Sequence, residues 1–220
     1  MLAWKQVDRA PVPGGSELRL MQRGDEFSIM SGTTELMNSR RGRSEEQLAI
    51  LAAKRIGKRD GTRILIGGLG MGFTLRAALA HFSEQCEIIV AELVPSVIAW
   101  AKGPLADVHG ASLTYPRVIL HEGDVAPVIR HNGPFDAILL DVDNGPDGLS
   151  RSENDQLYDA TGLAAAQAAL NPGGVLAIWS AAPDQRFAKR LRQAGLEVEE
   201  VRVRAGGARH LVWLATKRLR

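Results

Sequence analysis

Between Arg63 and Lys217 the chain alternates short apolar runs with longer stretches whose apolar residues recur at helical spacing. The runs RILIG (63–67), EIIVAEL (87–93), RVILHEG (117–123), FDAILLDVD (135–143) and GGVLAIWS (173–180) lack clean apolar–polar alternation. Such runs suit strands covered on both faces, as in a parallel sheet. Between them GFTLRAALAHF, PSVIAWAK, a short stretch from Val125, NDQLYDATGLAAAQAAL and DQRFAKRLRQAG read as helices, with Pro95 at a first turn. The alternation predicts a doubly wound α/β sheet. The last two apolar runs, LEVEEVRVR and RHLVWLATK, are joined by AGGA with no helix between them, so one of them runs antiparallel. The expectation is a mostly parallel, seven-stranded sheet.

Upstream the period changes. EFSIM and TTELM flank Ser31-Gly32 and read as a β-hairpin. SEEQLAILAAKRIG follows as a helix. Ser44 is placed to cap it, Gln47 sits at the capping-box position, Glu45 and Glu46 suit the positive helix end, and Gly57 can end it.

Composition narrows the class. A net charge of +2 with 45% apolar and 24% charged residues fits a globular protein. Basic residues cluster at Arg40-Arg41-Gly42-Arg43 and at Lys217–Arg220. Solvated surface explains them better than nucleic-acid binding. A single cysteine, Cys86, excludes an internal disulfide framework and a thiolate zinc site, and the histidines show no metal-ligand spacing. With neither a signal-like N-terminal apolar stretch nor a run of membrane-spanning length, a cytoplasmic protein is expected.

The chemistry concentrates at strand ends. Gly68, Gly70 and Gly72 form G-x-G-x-G between a strand and a helix. A dinucleotide fingerprint would need Gly or Ala where Phe73 stands, and no Gly-Lys-Ser/Thr triplet occurs, so the loop suits a nucleoside better than a pyrophosphate. Glu92 ends the second strand and can accept from ribose hydroxyls; Asp124 follows the third and can accept from an adenine amine. Asp141 and Asp143 end the fourth, where residues alternate in direction and both acids face one side. Ligands of open α/β sheets sit beyond these strand ends.

With these residues in place, positions 60 to 216 resemble the Rossmann-like S-adenosylmethionine-dependent methyltransferase fold. The segments SGTTELMNSRRGRSEEQLAI, FDAILLDVDNGPDG and LNPGGVLAIWS are similar to the spermidine synthase group, the polyamine aminopropyltransferases. The resemblance implies an N-terminal β-hairpin extension over 1–43, a methyltransferase-like core over 44–220, a small-molecule acceptor and a homodimer. Several defining residues differ. The group's glycine-loop acid, which holds the donor's amino group, falls on Gly70. The second aspartate of its fourth strand falls on Asn144, and Asp143 occupies the place of a small residue. A hairpin Gln is matched by Glu35, and a Tyr-His pair by Ser44 and Glu45.

Gly70 removes the acid that would repel a donor carboxylate, so the first reading is methyl transfer from S-adenosylmethionine to a small molecule. The alternative is aminopropyl transfer from decarboxylated S-adenosylmethionine to a polyamine. A third is a non-catalytic nucleoside-binding protein. In the enzyme readings Asp141 and then Asp143 are the candidates for the acid at the reacting centre. Gly68, Gly70, Gly72, Glu92 and Asp124 hold the donor, and Glu35, Asn144 and Trp179 the acceptor. Glu45 and Glu46 suit a cationic amine, while Arg40, Arg41 and Arg43 argue equally for an anionic substrate.

Overall fold

The computed structural model describes residues 2–13, 17–40, 43–141, 155–205 and 208–219. The N-terminal part is an antiparallel four-stranded sheet in sequential order: β1 (Lys5–Pro11), β2 (Glu17–Arg23), β3 (Glu26–Ser31) and β4 (Thr34–Asn38). The hairpin read from the sequence is its second half. In the first half, β1 buries only Ala10, so no apolar period marks that strand. Its place is fixed by pairing with β2 and by Trp100, whose indole N–H donates to Asp8 Oδ2 at 2.7 Å.

Helix α1 (Arg43–Ile56) follows, with Gly57 at φ +73° closing it as expected. Ser44 lies inside this helix, not before it, and its hydroxyl donates to Glu45 Oε2 at 2.5 Å. The core then runs β5 (Arg63–Gly67), α2 (Phe73–His81), β6 (Glu87–Glu92), α3 (Pro95–Lys102), α4 (Ala106–His109) and a 3₁₀ turn (Gly110–Thr114). It continues through β7 (Val118–Glu122), α5 (Val125–Asn132), β8 (Phe135–Leu140), α6 (Asp155–Tyr158), α7 (Ala160–Ala168) and β9 (Leu170–Ser180). Helix α8 (Gln185–Gln193) and the strands β10 (Leu196–Ala205) and β11 (Ala208–Lys217) complete it.

The seven core strands order as β10-β11-β9-β8-β5-β6-β7. All pairs from β9 to β7 are parallel, and β11 is the strand that runs antiparallel to both its neighbours. The unbroken apolar runs are explained by cover on both faces. Ile64 and Ile66 pack with α1, α2, α3 and the N-terminal sheet, while Leu65 between them packs with α5, α7 and α8. One helix was expected across 154–170; the structure breaks it, because Asp159 adopts an extended backbone and caps α7 by accepting from Gly162 N–H at 2.8 Å.

This order fixes where a ligand can lie. From β5 the chain winds outward through β6 and β7, then returns to the other side of β5 as β8. The crevice beyond the carboxyl ends of β5 and β8 is the switch point of the sheet.

Candidate active site

A cavity of about 190 Å³ opens at that switch point. Its floor is the glycine loop after β5, where Gly68, Gly70 and Gly72 take φ of +91°, +48° and +73°. Gly72 is the most constrained of them. A Cβ there would stand 2.4 Å from Nδ1 of His109, the buried histidine that α4 sets beneath the loop. Burial pushes the His109 pKa down to about 4, so the imidazole under the loop is neutral at pH 7. At Gly70 a Cβ would meet Met37 Sδ of β4 at 2.8 Å. The N-terminal sheet therefore reaches over the loop and closes the cavity from above, with Leu18, Ile29, Leu36 and Met37 in its wall.

Glu92, at the end of β6, holds the loop in place. It is 8% exposed, and its two carboxylate oxygens accept from Leu69 N–H and Val94 N–H, each at 2.9 Å. Burial raises its pKa, and these backbone donors oppose the rise. The Gly70 and Leu93 backbone groups also hydrogen-bond to this carboxylate, which lines the cavity. Asp124 follows β7, caps α5 by accepting from Ala126 N–H at 2.9 Å, and lines the same cavity. Both residues thus carry a structural task and also face the cavity where a ligand would lie.

Asp141, directly after β8, is anchored through its own N–H to Gly67 O at 3.1 Å. Its carboxylate accepts from Thr74 Oγ1 of α2 at 2.8 Å. Desolvation raises its pKa from the usual 3.8 to about 7; the negative charge of Glu45 adds to the rise, and the Thr74 hydrogen bond opposes it. Such a group can both offset a nearby cation and exchange a proton near neutral pH. Glu45 is a site residue that the sequence reading placed only loosely. It stands on the first turn of α1 and lines the cavity with Asp141. The Glu45 carbonyl oxygen lies 3.3 Å from the same Thr74 hydroxyl.

The acceptor-side expectations divide. Trp179, at the end of β9, lines the cavity, is 9% exposed, and packs on His210 with ring centroids 5.1 Å apart. Glu35 is not among the cavity-lining residues. The register shift between β3 and β4, which pairs Met37 with Ile29 but Glu35 with Met30, turns it to the polar cluster of the hairpin, where Ser28 Oγ donates to it at 2.9 Å and Asn38 Nδ2 at 3.2 Å. Arg40 pairs with Glu26 at 3.3 Å, so its charge is used within the N-terminal sheet. Asp143 and Asn144 lie outside the described residues. Among the described residues no group of acids, histidines and cysteine could hold a metal ion, and no helix is long and apolar enough to cross a membrane.

No family model matches the chain. It is 30% identical over 196 residues to the polyamine aminopropyltransferase of Mycobacterium tuberculosis (strain H37Rv), covering 83% of this chain and 35% of that protein. The Mycobacterium bovis protein of the same name matches equally. The chain thus spans about a third of the length of these curated relatives. Among solved structures, a spermidine synthase in complex with the transition-state analogue AdoDATO aligns with TM-score 0.74 at 18% identity, over 98% of this chain and 73% of that one. The spermidine synthase of Thermotoga maritima aligns over the same shares with TM-score 0.72 at 18% identity. A precorrin-6Y C5,15-methyltransferase from Geobacter metallireducens aligns with TM-score 0.57 at 15% identity, over 78% of this chain and 88% of that one.

Proposed function

The chain has the fold of the spermidine synthases and shares sequence with the polyamine aminopropyltransferases; on that premise we propose that it transfers an aminopropyl group from decarboxylated S-adenosylmethionine to an amine. This replaces methyl transfer as the first reading, because the similarity in sequence is to aminopropyltransferases. The observation that carries it is the cavity at the β5–β8 switch point, where Glu92 and Asp124 flank the glycine loop and Asp141 stands opposite with its pKa raised to about 7.

The nucleoside would lie across the loop, its ribose hydroxyls toward Glu92 and its adenine amine toward Asp124. A neutral acceptor amine attacks the propyl carbon bonded to the sulfonium. The N–C bond forms as the C–S bond breaks, and the electron pair passes to sulfur, giving a neutral thioether, 5′-methylthioadenosine. The nitrogen, now positively charged, gives up a proton, for which the Asp141 carboxylate is the acceptor. Alignment of amine, carbon and sulfur supplies most of the rate, a term that reaches roughly 7–11 kcal/mol in well-oriented systems. Trp179 and the apolar residues of the N-terminal sheet exclude water around it. We extend the reading to a transferase core over 44–220, an N-terminal extension over 1–43, a homodimer and a cytoplasmic site of action.

Methyl transfer stays as a second reading for one reason: Gly70 brings no acid to the loop. The two reactions leave different nucleosides. Incubation with decarboxylated S-adenosylmethionine and 1,4-diaminobutane is expected to yield 5′-methylthioadenosine. Formation of S-adenosylhomocysteine from S-adenosylmethionine, with no turnover of the decarboxylated donor, refutes aminopropyl transfer. Binding is checked by thermal stabilisation, since a ligand at 100 times its Kd adds about 2.7 kcal/mol.

A further inference from the structure

The cavity wall has a charge pattern that nucleoside binding alone does not explain. Its described lining residues include the carboxylates Glu45, Asp124, Glu92 and Asp141, and no lysine, arginine or histidine. The nearest basic side chain on α2, Arg76, is committed elsewhere: its guanidinium donates to the carbonyls of Met71 and Val108 and lies 4.7 Å from the Phe73 ring. Glu92 and Asp124 already accept backbone N–H groups. Glu45 and Asp141 differ from them, since among the described residues each accepts a hydrogen bond from a neighbouring hydroxyl alone, Ser44 and Thr74. They come from α1 and from the end of β8, and Thr74 touches both residues. The surrounding wall is apolar, with Met37, Phe73, Leu157 and Trp179.

We infer that Glu45 and Asp141 form a carboxylate pair that binds a primary alkylammonium group and excludes a carboxylate from the same place. This rests on the reading of the cavity as a nucleoside-sulfonium site. An ammonium between the two acids neutralises a repulsion that the empty pair must bear. Its three N–H donors match the acceptor positions that the two hydroxyls leave unused. The apolar wall takes the alkyl chain. A ligand carrying a carboxylate there adds a third negative charge to a wall whose described residues hold no positive side chain to meet it. Glu45 would thus give the cavity its preference for a decarboxylated donor without help from the glycine loop, where Gly70 is already overlain by Met37.

The ammonium can belong to the donor's propyl arm or to the acceptor, and calorimetry on the full chain separates the two. One titration compares decarboxylated S-adenosylmethionine, S-adenosylmethionine and 5′-methylthioadenosine, which lacks the arm. A second adds 1,4-diaminobutane to protein saturated with 5′-methylthioadenosine. Glu45→Gln is expected to leave 5′-methylthioadenosine binding within twofold and to weaken one of the two ammonium ligands about tenfold or more, the loss expected for a charged hydrogen bond. Loss in the first titration, with a narrowed preference over S-adenosylmethionine, assigns the pair to the donor. Loss confined to the second assigns it to the acceptor. Glu45→Asp should recover part of the loss. If Glu45→Gln binds every ligand as the parent does, the pair has no such role and the inference fails, while the nucleoside site stands. If 5′-methylthioadenosine does not bind the parent, both fall together.

Discussion

Glu92→Ala tests whether the glycine loop hangs on one side chain. The substitution removes the acceptors for the N–H groups of Leu69 and Val94, both within residues only 5% exposed. An unsatisfied buried donor costs about 1–3 kcal/mol, so two cost about 2–6 kcal/mol. Two effects reduce that sum. Burial raises the Glu92 pKa, so removing the carboxylate also removes a charge that the folded state desolvates at a cost. The side chain lines the cavity, and water can enter to meet part of the demand. The expected loss is therefore at the lower end, about 2–3 kcal/mol. Glu92→Gln keeps one oxygen but turns an amide N–H₂ toward the second backbone donor, and should lose about half as much. Urea denaturation followed by circular dichroism measures both variants, and calorimetry with 5′-methylthioadenosine measures the site. A strand-end carboxylate that only touched ribose would leave the fold intact and abolish binding. A Glu92→Ala protein within about 0.5 kcal/mol of the parent would refute the anchoring role of the two hydrogen bonds.

Asp141 makes the site pH-sensitive. Its folded pKa of about 7 lies above the usual 3.8, so its contribution to the stability of the ligand-free protein is complete below about pH 3.8 and is lost as the pH rises through about 7. A cationic donor favours the ionised form, so the thermal shift from decarboxylated S-adenosylmethionine should grow between pH 5.5 and about pH 8, against the background of Glu45 and Glu92 in the same cavity. Asp141→Asn should flatten that growth and lower turnover about 10²-fold or more; parallel pH profiles in parent and variant would rule the assignment out. Gly72→Ala combines a left-handed backbone with a Cβ 2.4 Å from His109 Nδ1. It should cost about 2–5 kcal/mol in denaturation experiments and weaken 5′-methylthioadenosine binding, and a variant as stable as the parent would mean that His109 moves aside freely.

The sequence by itself determined the alternating elements and the parallel core. Runs such as Ile64–Ile66 are apolar at every position, and only a strand covered on both faces uses them fully. It also determined the glycine loop and the acids at strand ends, because positive φ at Gly70 and Gly72 and the chain direction of a parallel sheet are local consequences of residue type and order. Glu92, Asp124 and Asp141 accordingly reach one cavity. What depends on the approach of distant segments was left to the tertiary structure. Strand β1 carries little apolar period and exists through its pairing with β2 and through the Asp8–Trp100 hydrogen bond. Glu35 and Glu45 are both acids of the segment before the core, and nothing local tells them apart. The register shift between β3 and β4 sends Glu35 into a polar cluster with Ser28 and Asn38, while the packing of α1 on α2 brings Glu45 beside Thr74 and Asp141. The charge of a side chain is written in the sequence; the company it keeps, which sets its pKa and its ligand, is decided by packing between elements far apart along the chain.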